Sequence, residues 1–294
     1  MRPLDLATGS LLAVVLSAVP VTPASASKAR TWDRSWAAGA TPTVRIVTDD
    51  ARVRIHRGDT DSVRAVIRYD AKTWGMSSGT TEPKVRLESD GGVIRIEARE
   101  QSNWVVFGGI EVKFEMDVTV PLRCDLSARS SDGSITCDAL EGRISLESGD
   151  GRIRASGLRG TLVLWSGDGS IEADGLDGSL MARTGDGGMK VNGRFDSLDL
   201  RSGDGRIEAT AMGGSQAASP WSLESGDGSI LFRIPRDLKV LLDAGSRDGS
   251  LRVDLPITTK GAIQNNSLRG ELNGGKVPLR MRSGDGSITL ALSQ

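Results

Sequence analysis

The sequence predicts an all-β protein, a parallel β-solenoid whose 18-residue coils each contain two strands and two turns. Three observations support this fold class. Asp-Gly recurs at a fixed 18-residue interval, residues one period apart share their chemical type, and a composition of 37 Gly, 10 Pro and 4% aromatic residues favours short strands and turns. We expect the coils to be right-handed.

The chain begins with a segment typical of a secretory signal peptide, residues 1–26. It contains Arg2, an apolar stretch at 11–19 and the sequence Ala-Ser-Ala at 24–26. The apolar stretch is too short for a membrane-spanning helix, which needs about 20 apolar residues, so an uncleaved anchor is disfavoured. We therefore expect export to the periplasm or the cell surface, with no transmembrane span.

Residues 27–42 are predicted to form a linker or cap. Trp32 and Trp36 are four residues apart, so on a helix they share one face, and we expect that face to cover the open end of the solenoid. The solenoid itself is predicted over residues 43–294.

The predicted solenoid has two parts. Irregular first coils occupy 43–123 and regular Gly-Asp-Gly repeats occupy 124–294. Two segments rich in Gly, Ser, Thr and Ala, Lys72–Thr81 and Ala211–Trp221, are expected to be surface loops.

The repeat is clearest in the middle of the chain. Five Asp-Gly pairs follow each other 18 residues apart, and the same interval aligns an apolar column. The Asp residues are Asp132, Asp150, Asp168, Asp186 and Asp204, and the column holds Ile135, Ile153, Ile171, Met189 and Ile207. Polar residues alternate with the column, which is the two-residue period of a strand.

The Gly-Asp-Gly sequences predict turns in which glycine adopts positive φ and Asp bonds its neighbouring amides. A preceding Ser/Thr column is expected to bond the turn in the same way; it holds Ser148, Ser166, Thr184 and Ser202. The alternative is a calcium ladder on the five Asp residues. We favour the turn, because one carboxylate per coil supplies too few of the six to eight oxygens that calcium takes, and we expect no cofactor.

Cys124 and Cys137 share the inward parity of the strands around them. Export permits oxidation, so a disulfide between them is predicted. The alternative is two small buried hydrophobic side chains.

Charge and residue counts exclude several functions. With 37 Lys+Arg against 38 Asp+Glu, the chain lacks the basic excess of a nucleic-acid-binding protein. One histidine and two cysteines cannot build a Cys/His zinc site. His56 has no Ser or Cys partner that the sequence indicates, which disfavours an enzyme.

Trp165 lies in an outward column, where its indole is expected either to pack against Arg or to stack on a sugar ring.

Longer stretches of the sequence resemble one known family. The run DVTVPLRCDLSARSSDG, the SGDG repeats and the ending LRGELNGGKVPLRMRSGDGSITL are similar to the bacterial "putative-adhesin" β-strand-repeat family, a domain of unknown function. The resemblance covers residues 43–292 and implies an exported, solenoid-like protein. The resemblance implies no catalytic residues for this chain.

Three hypotheses on function follow. The first is a non-enzymatic adhesion or interaction scaffold that binds an envelope polymer or protein. The second is a structural protein that assembles end to end, and the third is a polysaccharide-acting enzyme, which needs a groove with clustered carboxylates. The second hypothesis rests on the last strand, Ser287–Leu292, which we expect to end the stack with unpaired backbone groups and so to recruit a second copy.

Overall fold

The computed structural model describes residues 26–81, 83–100, 102–259 and 266–293. The predicted signal peptide therefore lies outside the described residues, except for Ala26. The described chain forms 23 β-strands joined in one continuous sheet, and it contains no helix. Among these residues there is accordingly no helix long and apolar enough to cross a membrane.

The strands of the N-terminal half are β1 (Ala26–Ala37), β2 (Thr43–Thr48), β3 (Arg52–Arg57), β4 (Ser62–Thr81), β5 (Lys84–Asp90), β6 (Val93–Arg99), β7 (Ser102–Val120), β8 (Asp125–Ser130), β9 (Ile135–Asp138), β10 (Glu141–Ser148), β11 (Ile153–Ser156) and β12 (Arg159–Ser166). Those of the C-terminal half are β13 (Ile171–Thr184), β14 (Met189–Ser202), β15 (Ile207–Ala211), β16 (Trp221–Ser225), β17 (Ile230–Ile234), β18 (Val240–Ser246), β19 (Leu251–Val253), β20 (Thr258–Thr259), β21 (Ser267–Leu272), β22 (Pro278–Ser283) and β23 (Ile288–Leu292).

The strands stack in two rows that enclose the core. Row A runs β5-β6-β2-β8-β10-β12-β13-β14-β16-β22-β18-β21-β20, and row B runs β1-β4-β7-β3-β9-β11-β13-β14-β15-β17-β23-β19. The long strands β13 and β14 belong to both rows, because each continues from one row into the other. Side chains alternate along the inner strands, such as β8 and β17, so that every second residue is buried between the rows.

In the middle of the chain the strands stack in sequence order. Ile153 pairs with both Ile135 and Ile171, and Ile171 pairs with Met189, each 18 residues away. The apolar column predicted from the sequence is fully or almost fully buried. The structure is thus all-β and solenoid-like, with mostly parallel strands.

At the ends the stacking order departs from the sequence order. Strands β2 and β3 lie between β6–β7 and β8–β9, so the first coil occupies the second layer. Strands β22 and β23 lie between β16–β17 and β18–β19, so the last coil occupies the layer before the end. The expectation that Ser287–Leu292 ends the stack is therefore wrong: β23 is hydrogen-bonded on both sides.

Antiparallel strands close both rows at the N-terminal end and row A at the C-terminal end, whereas row B ends there on the parallel strand β19. Lys72–Thr81, expected to be a loop, forms the second half of β4 and pairs with β7. Trp32 and Trp36, expected on a helix, lie on strand β1, which pairs with β4 at the edge of row B. Trp36 is buried, and Arg34 donates a hydrogen bond to the Leu87 carbonyl of row A (2.9 Å). Strand pairing with β4 thus overrides the helical spacing, and β1 covers this end of the core.

The Gly-Asp-Gly turns form one corner of the solenoid. The buried Ser148 hydroxyl donates to the Gly133 carbonyl of the previous coil (3.0 Å) and accepts from the Gly151 amide of its own turn (3.0 Å). Equivalent side chains donate to the turn one layer away: Ser166, Thr184, Ser202, Ser225, Ser246 and Ser283. The Ser/Thr column therefore satisfies the corner's buried backbone groups.

The second glycine of these turns is required by close stacking. A Cβ on Gly169 would lie 2.2 Å from the Gly151 carbonyl oxygen, although the φ of Gly169 is outside the left-handed region. The expected positive φ is thus wrong at this position. Left-handed glycines occur instead at the opposite corner, for example Gly157 (φ 61°) and Gly175 (φ 62°).

Candidate functional site

The outer face of row A presents one continuous column of side chains. Neighbouring strands place these residues side by side, at a spacing of about 4.8 Å per strand. We call it the A column; its members are Arg129, Glu147, Trp165, Arg183, Arg201, Glu224 and Arg282. All of these residues point away from the core because they alternate with the buried positions of the same strands.

The centre of the A column is an apolar patch. Trp165 is 45% exposed and Met181, on the next strand, is 39% exposed. Val163 pairs with Met181, and the three side chains share a shallow hollow of about 540 Å³ with Arg129, Glu147, Leu164 and Arg183. We call Val163, Trp165 and Met181 the Trp165 patch. Exposed apolar groups gathered in this way mark interaction surfaces.

The arginines beside the patch are already paired with carboxylates. Arg129 donates to Glu147 (Nε–Oε2 2.8 Å), and Arg183 lies 3.7 Å from Asp199. Asp199 also accepts from Arg201 (3.0 Å), and this hydrogen bond raises the pKa of Arg201. The surface around the patch is therefore polar but charge-balanced.

Beyond Arg201 the A column enters a larger hollow of about 1040 Å³. The hollow lies where β21 turns antiparallel to β18. Asp243 is its central carboxylate: burial favours its neutral form, but hydrogen bonds from Arg282 (2.6 Å) and Arg269 (3.1 Å) outweigh burial and lower the pKa of Asp243. This hollow extends the polar surface toward the C-terminal end of row A.

His56 lies on the outer face of row B. Its Nδ1 is 3.3 Å from Asp117 Oδ1 and its Nε2 is 3.1 Å from Thr119 Oγ1. Sequence reasoning missed the Thr119 partner, because β3 and β7 are neighbours only through the displaced first coil. The order hydroxyl, imidazole, carboxylate is that of a catalytic triad. The adjacent Gly58 amide, however, donates to the Val120 carbonyl (2.8 Å) and so is not directed at an oxyanion.

A cluster of carboxylates lies at the corner of the first coil, where the turn sequence is Asp49-Asp50-Ala51 and not Gly-Asp-Gly. Burial and the nearby Asp132 and Asp49 raise the pKa of Asp50, and burial and the charge of Asp50 raise the pKa of Glu100. These side chains border a hollow of about 700 Å³. This is the feature of the described chain that corresponds to the clustered carboxylates of the enzyme hypothesis.

The five Asp residues of the regular turns, Asp132, Asp150, Asp168, Asp186 and Asp204, are exposed on the corner. In the described ranges, no group of three or more His, Cys, Asp or Glu side chains is arranged to hold a metal ion. The corner hydrogen bonds come from the Ser/Thr column and the backbone, so the turn does not depend on the Asp carboxylates.

Cys124 and Cys137 are both buried and both free thiols in this structure. Burial, and secondarily the charge of Asp125, raises the pKa of Cys124 to about 12, and burial likewise raises that of Cys137. The disulfide stays a prediction; alkylation of the unreduced protein, followed by mass spectrometry, tests it by counting the modified thiols.

The fold and its outer surfaces define an all-β, solenoid-like protein with a polar column on one face. Residues 43–291 match the model of the Toastrack DUF4097 family, and the chain belongs to that family. A search of curated proteins finds no match.

A comparison with solved structures finds alignments that span most of the chain. A "putative adhesin" from Bacteroides fragilis is 10% identical, with a TM-score of 0.46, over 89% of this chain and 97% of that one. A "putative lipid binding protein" from Parabacteroides distasonis is 14% identical, with a TM-score of 0.46, over 88% and 96%. A "putative adhesin" from Parabacteroides merdae is 9% identical, with a TM-score of 0.41, over 90% and 96%.

Proposed function

We propose that this protein is an exported, non-enzymatic interaction scaffold of the bacterial cell envelope, and that the A column is its binding surface. The observation that carries the proposal is the A column itself, a continuous row of outward, exposed or half-exposed polar side chains with an apolar patch near its centre. Parallel strands that are hydrogen-bonded on both sides hold the row rigidly, which lowers the entropy lost on binding.

The A column suits an extended partner. Six strand spacings separate Arg129 from Arg282, about 29 Å at 4.8 Å per strand. A polymer or an extended protein segment that lies along the solenoid axis would contact every coil in turn. Residues of this kind, held on sheet strands, form a more precise surface than residues on loops.

Binding of the purified chain, from residue 27 onward, to isolated envelope fractions tests the proposal. We expect the envelope fraction to retain the protein, and the double variant Arg183→Glu/Arg201→Glu to weaken retention. Arg154→Glu is the matched control, because Arg154 is an exposed, carboxylate-paired arginine on the outer face of row B. No retention, or equal weakening by Arg154→Glu, would contradict the proposal.

The enzyme hypothesis has two structural observations in its favour, the Thr119–His56–Asp117 series and the carboxylates around Asp50. The first lies on the outer face of row B and the second at the corner that joins the two rows, and neither includes a member of the A column. Hydrolysis of chromogenic esters and release of reducing sugar from polysaccharides test them directly. Activity of the unmodified protein that is lost in the His56→Ala or the Glu100→Gln variant would show that the protein is an enzyme and would contradict the scaffold proposal.

A further inference from the structure

The Trp165 patch is the place where the A column departs from its own polar pattern. The residues that precede and follow Trp165 in the A column, Glu147 and Arg183, are charged, whereas Trp165 and Met181 leave large apolar surfaces in water. Among the residues whose side-chain exposure the structure describes, three large hydrophobic side chains are exposed, and two of them, Trp165 and Met181, belong to this patch. Their concentration at one point indicates a binding function for that point.

The patch is preformed. Beneath it, Leu162 and Leu164 of β12 are buried in the core, and β12 is paired along its whole length with β10 on one side and β13 on the other. Little backbone freedom remains to be lost when a ligand binds, so the exposed indole face can act as a fixed platform.

The rim of the patch offers both donors and acceptors without a net charge. The Glu147 carboxylate lies on one side of Trp165 and the Arg183 guanidinium on the other, each paired with an opposite charge, Arg129 and Asp199 respectively. A polyanion or polycation would have to displace one of these partners. A neutral ligand with hydroxyl groups can donate to the carboxylate and accept from the guanidinium while both ion pairs persist.

These features fit a ligand with an apolar face and a rim of hydroxyl groups. We propose that the Trp165 patch binds a hexose unit of an uncharged polysaccharide, with the C–H face of the sugar ring stacked on the indole of Trp165 and its hydroxyl groups bonded to Glu147 and Arg183. The proposal rests on the proposed function, since it names the ligand class of the A column.

A protein partner fits the patch less well. A stable protein interface buries about 800 Å² on each side and centres on a well-packed apolar core. Two exposed apolar side chains in an open hollow of about 540 Å³ do not form a core of that kind, whereas one exposed indole face is enough to stack a single sugar ring. Neighbouring units of the same polymer would then contact the paired charges farther along the A column, Arg201 and Glu224.

Affinity electrophoresis in gels that contain one soluble polysaccharide tests this inference. The probes are three uncharged polymers, mixed-linkage β-glucan, galactomannan and dextran, and one acidic polymer, polygalacturonate. We expect at least one uncharged polymer to retard the protein equally at low and high salt, because no net charge contributes. Trp165→Ala should weaken that binding about tenfold or more, and Trp165→Phe should retain most of it.

Met212→Ala is the matched control. Met212 is also 45% exposed but lies in the loop after β15, outside the patch, so its removal should leave the retardation unchanged. Retardation by polygalacturonate alone, retardation unaffected by Trp165→Ala, or no retardation by any uncharged polymer would overturn the inference. If envelope fractions retain the Trp165→Ala protein as well as the unmodified protein, the proposed scaffold function is supported and only the proposal of hexose binding at the Trp165 patch is rejected.

Discussion

Between β8 and β15 each coil lies on the coil before it, whereas at both ends the terminal coil is displaced one layer inward. In the middle, paired residues such as Ile153 and Ile171 are 18 apart in sequence. At the ends, Thr43 pairs with Asp125, and Ile230 pairs with Ile288. The middle is therefore held by local contacts, and the ends by contacts that close long loops.

This difference in order determines which strands remain at the edges. Strands β2, β3, β22 and β23 lie inside the stack. The described edge strands of row A are therefore β5 and β20, and the described edge strand of row B at the C-terminal end is β19. Strand β5 alternates charged side chains along its length, β19 has three residues and β20 has two. Short or charged edge strands resist pairing with other chains. The displacement thus protects the C-terminal end, where the sequence predicted that the last strand recruits a second copy.

The largest expected effect is a clash in the regular middle. In Gly169→Val the new Cβ would lie 2.2 Å from the Gly151 carbonyl oxygen, and backbone on both coils would have to move. We expect the free energy of unfolding to fall by about 3 kcal/mol or more in denaturant titrations. Gly213→Val is the control, since nothing lies within 4 Å of its added Cβ. Equal effects of the two substitutions would show that the coils are not closely stacked.

Next in size is a break in the last strand. Leu290 is buried and pairs with Phe232 on one side and Val253 on the other, so Leu290→Pro disturbs an interior strand. We expect a loss of about 3 kcal/mol or more, and a clearly smaller loss for Val253→Pro on the edge strand β19. Thermal unfolding of both variants measures the difference. A harmless Leu290→Pro would restore the interpretation that β23 ends the stack.

Sequence periodicity could predict the regular middle because each column there reports one repeated environment. Ile135 and Ile153, for example, occupy equivalent buried positions on neighbouring coils. The spacing alone therefore predicts the alternation of buried and exposed residues, the buried apolar column and the Ser/Thr column. Layer order at the ends could not follow from periodicity. The alternation of buried and exposed residues along a strand is the same whichever coil lies beside it, so periodicity carries no information on the neighbour.

The candidate site was predictable only in part. The outward position of Trp165 is predictable, because the 18-residue period puts it in one column with Glu147 and Arg183, and the structure pairs these residues. Met181 was not associated with it, since nothing in a sequence of strand residues indicates which outward apolar side chain remains exposed. His56 and Thr119 are 63 residues apart, and only the displaced first coil brings them together.

A smaller effect distinguishes the first coil from the regular coils. At the corner of the first coil the sequence is Asp49-Asp50-Ala51, and burial together with the charges of Asp132 and Asp49 raises the pKa of Asp50. A carboxyl with a raised pKa in the folded state binds its proton more tightly there than in the unfolded chain. Stability from this group is therefore present below its unfolded pKa, near 4, and is lost as pH rises through the folded value.

Asp50→Asn removes the charge and keeps the size of the side chain. We expect its melting temperature to exceed that of the parent protein at pH 7 and the advantage to disappear toward acidic pH, where Asp50 is protonated. Thermal melts across this pH range test the expectation, and Asp150→Asn, on an exposed turn of the regular middle, serves as the comparison. An Asp50→Asn protein that is less stable at pH 7 would mean that the carboxylate has a favourable partner at this corner.

The smallest expected effect concerns the Asp column of the regular turns. Asp168 is exposed, and the buried amides and carbonyls of its corner are bonded by Ser166 and Thr184 and by the stacked backbone. Asp168→Asn should therefore change the free energy of unfolding by no more than about 0.5 kcal/mol, as is usual for surface substitutions. The calcium-ladder alternative predicts otherwise, because a bound ion stabilises the folded state by mass action. A fall of more than about 10 °C in the melting temperature on addition of chelator, abolished in the Asp168→Asn protein, would establish the ladder; unchanged melting in both proteins would assign the column to the solvated surface of the turn.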